Sequence, residues 1–349
     1  MILKKISLQN FRSYQKQEFN FAETTLVVGP NTSGKTNLIE SIYLLSSGKS
    51  FKTDKDIQML KFGHDFARVK GLIEDEELEV LITNGEVNGK SQYKKFLVNG
   101  VAKRRVDFAG KLLAVIFSPQ DLDIIIDSPG LRRNFLNEVL DQIDRDYRLA
   151  DISYTKAIRQ RNALLERTRE TGERFDKQFE YWDNLVIENG KKITEKREEF
   201  INFVNLQKKD IFDFQIFYDK SVISRERLDQ YKNEEVLSGV TLVGPHRDDF
   251  SVLMPNSSKT ARDIKYFGSR GQQRLAILQL KNLQILYVEK FLNKRPILIL
   301  DDIFSELDER HINLIFDEIG KQQTIITTTH KEFIPKRLLK DMKIISFIE

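Results

Sequence analysis

The chain has 349 residues, 40% of them hydrophobic, which suits two or three lobes better than one small core. Its 56 basic and 52 acidic residues leave a net charge of +4, a balance that permits a nucleic-acid face without demanding one. No run approaches the roughly 18 apolar residues of a membrane span, the absence of cysteine excludes disulfides and thiolate metal sites, and four scattered histidines offer no zinc cluster.

The first residues alternate, Ile2, Lys4, Ile6 and Leu8 against Leu3, Lys5 and Ser7, and predict a strand. They lack the continuous apolar core of a signal peptide, so the expected compartment is the cytoplasm, with no membrane partner. A β-forming run over 24–28 leads into Gly29-Pro30-Asn31-Thr32-Ser33-Gly34-Lys35-Thr36, which fits G-x-x-x-x-G-K-[ST] in full. Apolar residues at helical spacing follow over 37–45. Strand, loop and helix in that order are what phosphate binding needs, because the glycines let backbone N–H groups curl around phosphate oxygens at a helix N-terminus. The eight loop residues and Asn37 are therefore candidate nucleotide ligands. Lys35 is placed to reach the terminal phosphates and Thr36 to hold magnesium.

Between 60 and 115 the pattern predicts a β meander, with strand runs at 69–73, 78–82 and 95–98 and a hairpin turn at Asn99-Gly100. From about 120 to 212 helical stripes replace alternation: Phe135, Leu136, Val139, Leu140 and Ile143, then Ile152, Ala157, Ile158, Leu164 and Leu165. A third stripe is Phe175, Phe179, Trp182 and Val186, and a fourth helix carrying Phe200, Phe203, Val204 and Leu206 is expected to begin near Thr194. The aromatics read as packing between helices. Residues 256–259 read as a surface turn.

Ser269-Arg270-Gly271-Gln272-Gln273-Arg274 precedes a helix over 275–291. That segment is open to two readings, a plain helix cap or an anion site for a phosphate belonging to another molecule. Residues 296–300 form an aliphatic run that ends in Asp301 and Asp302, as in a parallel strand buried on both faces. Asp301 is placed to hold magnesium and Asp302 to polarise the attacking water. A β-branched strand over 323–329 ends at His330, where a γ-phosphate sensor could sit. The basic clusters Lys103-Arg104-Arg105 and Arg132-Arg133 are the candidate DNA contacts.

Several segments together resemble the RecF family, bacterial replication-repair ATPases related to SMC and ABC heads. They are Leu8-x-Asn10-Phe11-Arg12-x-Tyr14, Phe117-Ser118-Pro119-x-Asp121-Leu122, Gly130-x-Arg132-Arg133-x-Phe135-Leu136, Tyr154, Gln160-Arg161-Asn162-x-Leu164-Leu165 and Trp182-Asp183. Gly244-Pro245-His246-Arg247-Asp248-Asp249-Phe250, the Ser269 segment and Asp301-Asp302-x-x-Ser305-Glu306-Leu307-Asp308 complete the match. The resemblance implies an α/β fold: an ABC/SMC-type P-loop ATPase head with an antiparallel β subdomain and an inserted helical lobe. The expected division is 1–118 and 213–349 for the head and 119–212 for the lobe.

It also implies ATP and Mg2+ as cofactors, slow DNA-stimulated hydrolysis and an ATP-dependent homodimer on double-stranded DNA or single-strand/double-strand junctions. RecO and RecR are the implied partners in loading recombinase during recombinational repair and replication restart. By the same resemblance Ser269, Gly271 and Gln272 complete the nucleotide site of the opposite subunit, while Lys35, Thr36, Asp301, Asp302 and His330 act in their own.

Four positions depart from the family pattern. Thr32 stands where glycine is usual, and a threonine there needs a negative φ or pays in strain. Lys49 and Lys52 replace arginines, keeping the charge but losing the bidentate fork. Gln120 follows Ser118-Pro119 where an acid is common, near the position of the Q-loop. A transporter nucleotide-binding subunit shares the loop and the paired acids, but the long stretch between Lys35 and Ser269 argues against it. A nucleotide-gated scaffold is the third reading, distinguished by survival of function without Asp302.

Overall fold

The computed structural model describes residues 1–85, 94–174, 176–255, 261–305, 319–334 and 339–347. The chain opens with strands β1 (Leu3–Phe11), β2 (Tyr14–Asn20) and β3 (Thr24–Val28), then helix α1 (Lys35–Ser47). Strands β4 (Phe66–Ile73), β5 (Glu76–Thr83), β6 (Lys94–Val98), β7 (Val101–Lys103) and β8 (Ala114–Phe117) follow. Helices α2 (Pro129–Ile143), α3 (Arg145–Thr171) and α4 (Asp176–Leu206) precede β9 (Gln215–Asp219), β10 (Asp249–Met254) and β11 (Arg262–Asp263). The remaining major elements are α5 (Arg270–Leu292), β12 (Ile297–Asp301), β13 (Thr324–Thr328) and β14 (Lys343–Ser346).

Two compact units result: Met1–Asp121 with Gln284–Glu349, and Leu122–Leu283. In the first, an antiparallel sheet runs in the order β2-β1-β4-β5-β6-β7, and a five-stranded sheet runs β14-β3-β13-β12-β8 with every pair parallel. The parallel order interleaves strands from both chain ends, so the phosphate loop after β3 and the acids after β12 can share one sheet edge. Helix α1 packs on both sheets, which is why it is buried nearly all round rather than along one stripe. Leu38, Ile39, Ile42 and Leu45 join Ile6 and Leu8 of β1, Val69 of β4, Val80 of β5, and Ile299 and Ile325 of the parallel sheet in a single core. Strands β12 and β13 are buried at every position, as their aliphatic and β-branched runs predict. The Gln323 amide stitches this unit together: it accepts from Leu3 N at 2.7 Å and donates to Leu3 O at 2.9 Å and to Ala22 O at 3.0 Å. At Asn99-Gly100 both φ angles are positive, 49° and 76°, and β6 turns back into β7 as that pair requires.

In the second unit, α3 starts on Asp144, whose carboxylate caps Asp146 N at 2.8 Å and Tyr147 N at 3.0 Å, and stops on Gly172 in the left-handed region. It forms a helical hairpin with α4. The two helices expected around Phe179 and Phe200 are one helix of 31 residues, Asp176–Leu206. Asn189-Gly190 does not break it. A Cβ at Gly190 would lie 2.7 Å from Ile223 and 3.1 Å from the Tyr154 ring, so this glycine admits close packing rather than ending a helix. Ile152, counted in the second stripe, is 44% exposed and outside the core.

Residues 213–283, grouped with the head from sequence, cluster instead with the helices. The Asn205 amide on α4 brackets Ile216 of β9, accepting from its N–H at 2.7 Å and donating to its carbonyl at 2.9 Å. Buried Arg197 on α4 binds Asp248 Oδ2 at 3.0 Å and Pro245 O at 2.7 Å. Arg161, 1% exposed, ties α3 to Asp183 and Glu235, each at 2.7 Å. The turn expected at 256–259, Phe175 of the third stripe, and Glu306, Leu307 and Asp308 lie outside the described residues.

Candidate nucleotide site

The phosphate loop lies between β3 and α1, and its shape comes from both neighbours. Gly34 caps α1 at φ 105°, where a Cβ would meet the Tyr14 hydroxyl at 2.9 Å. That hydroxyl donates to Gly34 O, also at 2.9 Å, and the Asn37 amide reaches Ser13 Oγ at 3.0 Å. The turn between β1 and β2 is therefore fastened to the first turn of the helix. Its Arg12 grips fully buried Glu40 with two bonds of 2.8 and 2.6 Å, and Ser50 donates to the same carboxylate. This half-buried arginine on a buried carboxylate fixes the segment after α1, which carries Lys52.

A cleft of about 260 Å³ opens beside the loop. Asn31, Thr32, Gly34, Lys35, Thr36 and Asn37 line one side, with Asp301 and Asp302 opposite. Lys52, Pro119 and Gln120 complete it. Gly29, Pro30 and Ser33 shape the loop without lining the cleft. The Lys35 ammonium donates to the Gly29 and Pro30 carbonyls at 2.7 and 2.8 Å. Burial holds its pKa below the ordinary lysine value, opposed by Asp302 and Asp301. Asp301 is buried and accepts from the Thr327 hydroxyl at 2.6 Å. Burial pushes its carboxyl above the usual range, with Asp302 adding to the effect and Thr327 opposing it. Asp302 has φ 52°, and its N–H is shared between the carbonyl and hydroxyl of Thr327 at 3.1 and 3.2 Å.

Thr32 is held at φ 73°, the left-handed conformation that a glycine would reach without strain, and its hydroxyl donates to Asn31 O. The negative φ that a threonine prefers is not adopted. Among the described residues no group of three or more acidic or histidine side chains could cage a metal by itself. Thr36 and Asp301 supply one hydroxyl and one carboxylate, the sparse hard-oxygen set that suits magnesium when phosphates and water complete its shell.

Other expected site residues fall elsewhere. His330 is exposed just past β13 and does not line the cleft. Ser269, Gly271 and Gln272 belong to the second unit and are exposed. There Gln272 N donates to Ser269 Oγ at 3.3 Å and Ser269 N to Gln272 Oε1 at 2.9 Å, a reciprocal capping box on α5. Lys103 is exposed, Arg104 pairs with Asp107 at 2.9 Å, and Arg105 donates to Ser47 O at 3.2 Å. Arg132, also expected at a DNA face, is instead spent inside the protein: it is buried, grips Asp249 with bonds of 2.5 and 3.0 Å, and donates to Asp127 O at 2.9 Å. Lys52 and Gln120 were missing from the expected site. The family resemblance marked both as departures, Lys52 in place of an arginine and Gln120 near the Q-loop position, without placing either in the site.

The family model for the RecF/RecN/SMC N terminal domain matches residues 2–346. The chain is 32% identical to the DNA replication and repair protein RecF of Bacillus thuringiensis (strain Al Hakam), covering 99% of this chain and 96% of the relative. The chain belongs to the RecF family. Bacillus cereus RecF (strain B4264) matches equally, with the same identity and coverage. A solved structure of the recombination mediator protein RecF-ATPrS in the RecFOR pathway superimposes with a TM-score of 0.85 at 30% identity, covering 96% of this chain and 94% of that one. An Smc head domain from Pyrococcus yayanosii shares the fold at a TM-score of 0.52 and 13% identity, covering 99% of this chain and 94% of that one. This RecF family member therefore has the SMC/ABC-type ATPase head, with antiparallel and parallel sheets and inserted helices.

Proposed function

We propose that this chain is an ATP-dependent DNA-binding protein of replication and repair, in which ATP held in the cleft brings two copies together on DNA. The observation that carries the reading is the convergence of Lys35, Thr36, Asp301 and Asp302 on one cleft from opposite ends of the chain. Lys35 gives up the Gly29 and Pro30 carbonyls for the terminal phosphates, and loop N–H groups from Asn31 to Thr36 surround them. Thr36 and Asp301 would hold magnesium, which supplies charge neutralisation on the phosphates when bound. Asp302 accepts the proton of the attacking water, and turnover is slow and stimulated by DNA. His330, just past the end of β13, is the proposed sensor of the γ-phosphate.

Ser269, Gly271 and Gln272 meet the ATP of a second copy. The capping box between Ser269 and Gln272 lies with Gly271 at an exposed helix start, where a phosphate can replace the internal bonds. DNA contacts are to the backbone, with Lys103, Arg104 and Arg105 as first candidates, on duplexes or single-strand/double-strand junctions. The RecFOR pathway named for the solved relative supports RecO and RecR as partners in recombinase loading. The test is ATP turnover and ATP-dependent dimerisation, each with and without duplex DNA, against Lys35→Ala. ATP-driven association that vanishes in the variant is expected. Equal turnover and association by the variant would overturn the assignment.

A further inference from the structure

In the second unit a cleft of about 200 Å³ opens among α2, α3, α4 and the Pro245–Arg247 turn. Most polar groups around it are already spoken for. Arg197 divides its N–H groups among Pro245 O, Asp248, Asn137 and Tyr147. His246 sits between the Tyr154 hydroxyl at 2.7 Å and the Thr241 carbonyl at 3.0 Å. Arg133 differs. It is half-buried, its Nη1 donates to Asp248 O at 2.8 Å, and among the described residues no carboxylate forms an ion pair with it. Burial, together with the nearby charges of Arg197 and Arg247, holds its pKa below the ordinary arginine value, against a partial pull from Asp249 and Asp248. A cation in that position gains from any anion that enters.

We infer that this cleft is a subsite for a backbone phosphate of duplex DNA, bound by the Arg133 guanidinium with the Asn134 and Thr155 side chains as donors at its rim. The guanidinium fork matches two phosphate oxygens. Ile158 and Ile193 give the adjoining sugar an apolar wall. Asp151 is the single carboxylate in the lining, against Arg133 and Arg197. Lys156 and Arg159 are exposed on α3 beside lining residues, and Arg247 is exposed on the turn. That spread of positive charge suits an extended polyanion better than one acidic side chain. The inference rests on the DNA-binding reading above and is independent of the ATP cleft.

The test uses the full chain and a fluorescent random-sequence duplex, titrated over a NaCl series. Arg133→Gln should lower the slope of log affinity against log salt by about one and weaken binding several-fold. Thr155→Glu, which breaks no side-chain hydrogen bond among the described residues and places a carboxylate at the rim, should weaken binding comparably even if Arg133→Gln folds poorly. ATP affinity should not change in either, and Arg133→Lys should keep the slope. Salt-sensitive duplex binding by the wild type with wild-type slope and affinity in both variants would overturn the subsite while leaving the DNA reading standing. Absence of salt-sensitive duplex binding in the wild type would overturn both.

Discussion

The Tyr14 hydroxyl donates to the Gly34 carbonyl at 2.9 Å, joining the first hairpin to the residue that caps the phosphate-loop helix. Tyr14 is nearly buried, and burial raises its phenol pKa, so the group stays a neutral donor. Tyr14→Phe keeps the ring and deletes the bond. A net hydrogen bond is worth about 1 kcal/mol, so we expect ATP affinity to fall about fivefold with the fold intact. Equilibrium titration with a fluorescent nucleotide checks this, and unchanged affinity would show that the loop holds its shape without the hairpin.

Thr32 bears a side chain at φ 73°. A left-handed β-branched residue costs roughly 1–2 kcal/mol, and glycine returns part of that through unfolded-chain entropy. Thr32→Gly should therefore raise the melting temperature by about 2 °C and leave ATP binding at least as tight. A lower melting temperature would mean that the Thr32 hydroxyl bond to Asn31 O outweighs the strain.

Much of this was legible before any coordinates. The loop at Gly29–Thr36, the aliphatic strand before Asp301 and the hairpin at Asn99-Gly100 carry local patterns, because backbone geometry alone demands those residue types. Lys52 and Gln120 are marked only by the family resemblance, since their place in the cleft depends on how separate segments fold back upon α1 and the parallel sheet. Arg132 and Arg133 look alike in sequence, yet one is spent on Asp249 and the other faces a cleft, a difference set by side-chain direction on α2. The motif around His246 carries the family resemblance without stating its job. Its Asp248 is fully buried and accepts from Arg197, Tyr218 and Ser221 N, so the motif anchors the helices.

His246 gives the second unit a pH dependence. Burial pushes its pKa down to about 4 from 6.5, with Arg247 and Arg133 adding to the effect and the Thr241 bond opposing it. The unfolded chain therefore binds a proton that the folded chain refuses across that interval. Stability contributed by the neutral ring is present above pH 6.5 and lost as the pH falls toward 4. Between neutrality and pH 5 the loss should be about 2 kcal/mol. Urea midpoints at the two pH values give the slope, and His246→Gln should flatten it. Parallel slopes in the two proteins would assign the acid sensitivity to other groups.

The paired acids should separate binding from cleavage. Asp301 is the buried member, held by the Thr327 hydroxyl, and its carboxylate faces the cleft that Thr36 also lines. Asp301→Asn keeps an acceptor for Thr327 but removes the anionic oxygen, so magnesium-dependent ATP affinity should drop at least tenfold. Asp302 is placed differently, at φ 52°, with its N–H anchored on Thr327. Asparagine tolerates that conformation, so Asp302→Asn should fold and bind ATP as the wild type does. An amide cannot take a proton from water, so hydrolysis should slow by about a hundredfold or more and ATP-bound dimers should outlive those of the wild type. Single-turnover hydrolysis, read beside nucleotide affinity, distinguishes the two roles. Wild-type cleavage by Asp302→Asn would remove it as the base and leave His330 as the next polar group to test.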